Sequence, residues 1–220
     1  MDGILVINKP SGITSHDVVV KARKKLNYKK VGHAGTLDPL ATGVLVLLLG
    51  KTTKLSTTFI GYDKAYRATL ILGIITDTAD TQGAILKTLS YEQITTEKIY
   101  QAFRKFEGEI QQVPPMVSAV KYQGRKLYQL ARKGLVVDRL PRDIIIHKLF
   151  VEEIALPKIK FYLECSKGTY VRQLAADIGE TLGCGACICQ IERTQVGPFT
   201  LEEAIDLEDI HESYIRHWQG

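Results

Sequence analysis

The segment Gly32-His33-Ala34-Gly35-Thr36-Leu37-Asp38-Pro39-Leu40-Ala41-Thr42-Gly43 sets one carboxylate in a loop with three glycines and a proline, directly before the apolar run Val44 to Leu49. Pro39 fixes its own φ and biases Asp38 toward an extended backbone. Gly32, Gly35 and Gly43 permit backbone geometries and close approaches that side-chained residues resist. A chain that must pass from this loop straight into a buried strand has little freedom in where Asp38 points. Asp-Pro also opens ordinary turns, so the local pattern leaves two roles for Asp38: a turn cap, or one group presented in a fixed position.

Around this loop the chain alternates between strand and helix patterns, with no Pro/Gly/Ser-rich linker, internal repeat or low-complexity tract. The expectation is one domain over 1–220 and an α+β fold. Strands are expected at Ile4 to Ile7, Val44 to Leu49, Ala65 to Leu72, Asp143 to Val151 and Lys160 to Cys165. In the last of these Phe161, Leu163 and Cys165 share one face, and Tyr162 and Glu164 the other. A first helix opens at Thr14 or Ser15 and puts Val18, Val19, Ala22 and Leu26 inward. Others are expected at Glu97 to Phe106, at Lys126 to Lys133 closed by Gly134, and at Tyr170 to Leu182 with Val171, Leu174, Ala175, Ile178 and Leu182 as the apolar stripe. A final helix is expected to open at Thr200.

Charge and cysteine content exclude more than they establish. A net charge of +5 suits a polyanionic partner but does not require one. The densest basic run, Lys21, Arg23, Lys24, Lys25, Lys29 and Lys30, fits RNA phosphates or a solvated helix face equally well. No segment approaches the roughly 18–20 apolar residues needed to span a membrane, and the N-terminus carries no export signal, so a cytoplasmic location is expected. Cys184, Cys187 and Cys189 form C-x-x-C-x-C, but a structural zinc site wants a second pair and only Cys165 remains; buried thiols are the reading, with no metal. Gly50-Lys51-Thr52 ends like a phosphate-binding loop, yet Leu45 stands where that motif needs glycine. Asp77 and Asp80 lack the spacing of a calcium loop and are assigned to turn structure.

The twelve-residue Asp38 segment closely resembles the motif around the catalytic aspartate of the TruB family of tRNA pseudouridine synthases. Four more stretches resemble family motifs in the same order: Gly3 to Gly12 (GILVINKPSG), Asp63 to Ala68 with Thr76-Asp77-Thr78-Ala79-Asp80, Gln112 to Pro115 with Ser118 to Lys121, and Cys165 to Arg172. The resemblance covers roughly residues 3 to 207. It implies a central mixed, mostly antiparallel sheet flanked by helices and loops. It implies isomerisation of uridine to pseudouridine in the T-stem-loop of tRNA, at the uridine conventionally numbered 55, with no cofactor and a monomeric enzyme. Family members usually continue into a small RNA-binding PUA domain, which is expected to be absent here.

The resemblance makes Asp38 the nucleophile, leaving open attack at uracil C6, bonding to sugar C1′ or a glycal-like route. Arg172 is the active-site arginine. Burial raises a carboxyl pKa, and a guanidinium about 4 Å away offsets this by about 4 kcal/mol at an effective dielectric near 20. Tyr66 stacks on the uracil, and its hydroxyl is a candidate relay for the C5 proton. His33 fills the space that the flipped base vacates; Tyr170 and Ile191 line the pocket, Ile191 standing where leucine is more usual. Lys9 lies near the loop, touching RNA or supporting Tyr66, and Lys54 lies near the substrate cleft. Two rival readings remain: an RNA chaperone without catalysis, and an unrelated hydrolase, for which the chain offers no second catalytic carboxylate or Ser/His partner.

Overall fold

The computed structural model describes residues 1–218; Gln219 and Gly220, the end of the expected 1–220 domain, lie outside the described residues. The chain divides into two compact units, residues 1–67 with 190–220 and residues 68–189. It crosses from one to the other inside the strand Lys64–Leu72 and returns inside the strand Ala186–Val196.

In the first unit the strands lie in the order Ile205–Asp206, Gly3–Lys9, Thr42–Leu49 and Ala186–Val196. Gly3–Lys9 runs antiparallel to Thr42–Leu49, with Lys9 opposite Gly43, while Ala186–Val196 runs parallel to Thr42–Leu49, with Arg193 opposite the same Gly43. The near-continuous burial of Ile4 to Ile7 and Val44 to Leu49 explains why these strands read as apolar runs rather than alternating ones. Helix Ser15–Lys25 buries Val18, Val19 and Ala22, and a capping box fixes its start: Asp17 N–H donates to the Thr14 hydroxyl, and Thr14 N–H to the Asp17 carboxylate. Leu26, just past its end, is buried too.

In the second unit the order is Lys64–Leu72, Lys158–Cys165, Arg142–Ala155 and Gly108–Gln112; Arg142–Ala155 runs antiparallel to both Lys158–Cys165 and Gly108–Gln112. The alternation expected for Lys160 to Cys165 holds: Phe161 and Leu163 are wholly buried and Cys165 nearly so, while Tyr162 and Glu164 are half-buried. Helix Thr96–Arg104 packs Phe103 edge-on against Phe161, ring centres 5.5 Å apart. Helix Val171–Thr181 buries Val171, Leu174, Ala175 and Ile178.

Three local expectations are corrected. The helix expected from Thr200 is a single 3-10 turn, Leu201–Glu203: Thr200 makes no capping bond to a following N–H, Ala204 is extended, and Ile205–Asp206 is drawn into pairing with Ile7 and Asn8. The helix expected over Lys126 to Lys133 is confined to Leu127–Ala131. The strand Ala186–Val196, between Thr42–Leu49 and Lys64–Leu72 in the sheet, has no counterpart among the expected strands.

Gly43 joins the fold to the Asp38 loop. Its φ is +98°, and a Cβ there would stand 2.2 Å from the Arg193 carbonyl oxygen. Left-handed backbone strain costs about 1–3 kcal/mol by itself. Gly43→Ala is therefore expected to lower unfolding free energy by more than about 2 kcal/mol, measured by urea denaturation; an unchanged midpoint contradicts this account of the strand contact.

Candidate active site

In the Asp38 loop, bonds to other parts of the first unit tie the backbone on both sides of the carboxylate. The Ser15 hydroxyl, buried in the first turn of its helix, accepts from Leu37 N–H at 2.8 Å and donates to Leu37 C=O at 3.0 Å. One side chain thus satisfies both polar groups of the residue before Asp38. On the far side, Pro39 C=O accepts from Gly12 N–H at 2.8 Å and from the Lys9 ammonium at 3.4 Å, and the Ser11 hydroxyl donates to Leu40 C=O at 3.1 Å. Asp38 C=O accepts from Ala41 N–H at 3.0 Å, closing a turn. The turn-cap reading and the presented-group reading thus coexist: the main chain of Asp38 makes the turn while its side chain is half-buried.

Lys9 is 0% exposed and donates to Pro10 C=O at 2.8 Å, Ile13 C=O at 2.9 Å and Pro39 C=O at 3.4 Å. Its geometry supports the loop; the ammonium faces main-chain oxygens. Burial pushes its pKa down to about 8, with the Asp38 charge opposing and the Arg193 charge adding. The other first-unit residues singled out by sequence are Tyr66, 7% exposed on Lys64–Leu72, Ile191, also 7% exposed, and His33, half-buried opposite Leu47. Lys54 is exposed on the 3-10 turn Gly50–Leu55.

Arg172 and Tyr170 belong to the second unit. Arg172 is 3% exposed; its guanidinium donates to Thr78 C=O at 2.6 Å and Val117 C=O at 2.9 Å, and lies 3.5 Å from the Asp80 carboxylate. Tyr170 caps the helix start. Its peptide is clasped by Gln112, whose side-chain oxygen accepts from Tyr170 N–H at 2.8 Å and whose NH₂ donates to Tyr170 C=O at 3.1 Å.

Asp80 is the charge partner of Arg172 that the local sequence does not reveal. Asp77 does serve the turn, accepting from Ala84 N–H at 2.8 Å. Asp80 does that too, accepting from Gln82 N–H and the Thr78 hydroxyl, but it is 5% exposed and is also the carboxylate that faces Arg172. The turn assignment is corrected to that extent. Only its place in the Thr76 to Asp80 motif hinted at more, because a turn aspartate and a charge partner look alike locally.

The cysteines are buried or half-buried, and burial pushes the Cys187 thiol up to about 11, so it stays protonated near neutral pH. The basic helix run is partly engaged: Lys21 and Lys25 lie 3.7 and 3.4 Å from Glu208, and Arg23 donates to Val31 C=O at 2.6 Å. A second basic stretch, Lys121 to Arg142, has seven cations against Asp138 alone and carries Tyr128 with Lys126 and Arg132 at 5.7 and 5.5 Å from its ring centre. Among the described residues no helix is long and apolar enough to cross a membrane.

Comparison with known proteins gives this arrangement a class. The fold is similar to a chain of a Cbf5-Nop10-Gar1 complex, with a TM-score of 0.74 and 34% identity over 94% of this chain, and to one in an H/ACA ribonucleoprotein bound to substrate RNA, with a TM-score of 0.70 and 31% identity. This chain spans about half of each, 53% and 51%. The TruB family pseudouridylate synthase N-terminal domain matches residues 23–171, and the tRNA pseudouridylate synthase B C-terminal domain matches residues 172–219. The chain is 47% identical over 218 residues to tRNA pseudouridine synthase B of Clostridium tetani, covering 99% of this chain and 75% of that one. It is 49% identical over 212 residues to the enzyme of the same name from Protochlamydia amoebophila, covering 96% and 80%. The α+β fold with its mixed, mostly antiparallel sheet is thus the pseudouridine synthase fold. The chain belongs to the TruB family of tRNA pseudouridine synthases and is an isomerase.

Two outcomes follow from the buried charges. Removing one partner of a buried ion pair typically costs about 3–5 kcal/mol, so Asp80→Ala is expected to destabilise the protein by that order; a change below about 1 kcal/mol in urea denaturation would mean Arg172 is indifferent to Asp80. For Lys9, folded and unfolded chains are both protonated below pH 8, whereas between about 8 and 10.5 the unfolded chain keeps a proton that the folded one has released. Stability contributed by this residue therefore rises with pH through that window. The wild type should gain stability relative to Lys9→Met between pH 7 and pH 10, and an equal gap at both pH values contradicts this.

Proposed function

We propose that this chain converts the uridine conventionally numbered 55 in the T-loop of tRNA to pseudouridine, with Asp38 as the nucleophile. The observation that carries the reading is the Asp38 loop itself. Its backbone polar groups are bonded on either side of a half-buried carboxylate, by Ser15 at Leu37 and by Gly12 and Lys9 at Pro39. A backbone held in this way fixes where the carboxylate leaves the chain, which removes part of its orientational freedom before substrate arrives and favours attack on one atom of an extruded base.

The reaction breaks the N1–C1′ bond, turns the uracil, joins C5 to C1′ and transfers the C5 proton away while N1 gains one. Extruding the base costs a few kcal/mol. Stacking on Tyr66 returns about 1–3 kcal/mol and persists while the uracil is detached, because an aromatic face holds a base whether or not the sugar is attached. In this reading His33 occupies the vacated space, and Tyr170 and Ile191 bound the pocket. Arg172 takes the part of the active-site arginine that the family resemblance gives it; its fixed fork and permanent charge suit pairing with an anion better than lysine would. Lys9 takes the supporting role, consistent with its burial. The Lys121 to Arg142 stretch and Lys54 offer cations for phosphates, which set register on a loop recognised mainly by shape.

The test is tritium release from C5-labelled uridine in a T-arm transcript. The wild type is expected to release tritium from this minihelix as well as from full-length tRNA, and Asp38→Asn to lose more than about 10³-fold in rate. A protein that only opens the RNA would release none, and its RNA-remodelling activity would survive Asp38→Asn; reaction confined to full-length tRNA would show that the T-arm is not a sufficient substrate.

A further inference from the structure

Arg193 has no part in the chemistry just described, yet its surroundings connect it to the catalytic loop. It is 2% exposed, on the strand Ala186–Val196. Its guanidinium donates to Val44 C=O at 2.8 Å through Nε, to Thr36 C=O at 3.4 Å through one terminal nitrogen and to Gly35 C=O at 3.2 Å through the other. Gly35 and Thr36 precede Asp38 in the loop, and Val44 lies in the strand that follows it. One planar group therefore ties the way into the loop to the way out. The sheet register explains how it gets there: Lys9 and Arg193 lie on the two sides of Gly43 in one row across three strands, and the missing side chain at Gly43 lets the Arg193 backbone close in on it. Lys9 reaches the loop at Pro39, from the other flank.

We infer that Arg193 is a positioning residue for Asp38, a rigid three-pronged brace whose work is to hold the loop at the height and angle that the reaction needs. This rests on the proposed role of Asp38. Three divergent donors in a fixed plane are a property of guanidinium; an ammonium carries its three donors at one point and cannot reach three carbonyls in this spread. A brace of this kind acts on the chemical step and leaves RNA recognition alone, because the cations proposed to meet phosphate lie elsewhere in the chain.

The experiment measures single-turnover tritium release from the T-arm transcript, with its KM and dissociation constant, for Arg193→Met and Arg193→Lys beside the wild type and Asp38→Asn. Displacement of a reacting group by about 1 Å can cost about 100-fold. Folded Arg193→Met is expected to lose about 10–100-fold in kcat with KM and RNA affinity within about threefold of wild type, and Arg193→Lys to recover part of that loss. Wild-type kcat in either folded variant overturns the inference, as does a loss that appears in KM or affinity instead. Failure of both variants to fold also overturns it, since Arg193 would then hold the unit rather than aim the loop. Retention of activity by Asp38→Asn would instead remove the proposed function on which this rests.

Discussion

The structure depends on satisfying the backbone of a loop that has almost no regular structure of its own. An irregular segment packed against a buried strand carries N–H and C=O groups that neither helix nor sheet can pair, and each one left bare in the interior costs about 1–3 kcal/mol. Here the partners come from three directions: the Ser15 hydroxyl at the start of a helix, Gly12 and Lys9 at the end of the first strand, and Arg193 on a strand from the far end of the chain. The same bonds that make the loop affordable to fold also immobilise Asp38. Foldability and preorganisation are one requirement at this site, which is why a glycine-rich segment, the sort usually found in mobile loops, can carry a fixed carboxylate.

Three of the cations buried among the described residues, Arg172, Arg193 and Lys9, are held in two ways. Arg172 has a carboxylate, Asp80, within 3.5 Å as well as two carbonyl acceptors. Arg193 directs its guanidinium to three carbonyls, and Lys9 does the same with its ammonium. Main-chain carbonyls solvate a cation without cancelling its charge, so Lys9 and Arg193 both put positive charge beside the loop; burial is the main cause of the lowered Lys9 pKa, the Asp38 charge opposes it and the Arg193 charge adds to it. An arginine keeps its proton under such conditions and a lysine loses some of its hold on it, which matches the assignment of arginine to two of the three positions.

Much of this architecture was legible residue by residue. The spacing of Phe161, Leu163 and Cys165 marked a half-covered strand, the Thr14 to Asp17 pattern marked a helix start, and Val171 to Ile178 marked a helix with a buried stripe. Where the reading failed, a longer-range interaction had overridden a local one. Thr200 carries a capping sequence, but the residues after its 3-10 turn gain more by pairing beside Ile7 and Asn8 than by continuing as helix. Ala186–Val196 escaped notice because its first residues are buried on both faces and show no alternation, and because Arg193, a buried position, carries a charge where the strand pattern asks for an apolar residue. Asp80 was hidden for the complementary reason: its local bonds are those of an ordinary turn, and its partner lies on a helix far along the chain.

The amino-acid order alone determined what is set by neighbours along the chain: the restricted backbone at Asp38-Pro39, the caps and stripes of the helices, the buried strands, and a set of family motifs in family order. Tertiary structure alone decided which side chains meet the loop. Lys9 at Pro39 and Arg193 at Gly35 and Thr36 are encounters fixed by sheet register, in which Lys9, Gly43 and Arg193 fall in one row, and Ser15 meets Leu37 through the packing of its helix. A one-residue slip would turn every side chain in such a strand to the other face. Local chemistry can specify the kind of bond a residue will make, but not which residue stands across from it, because that is fixed only when strands distant in sequence have been laid side by side.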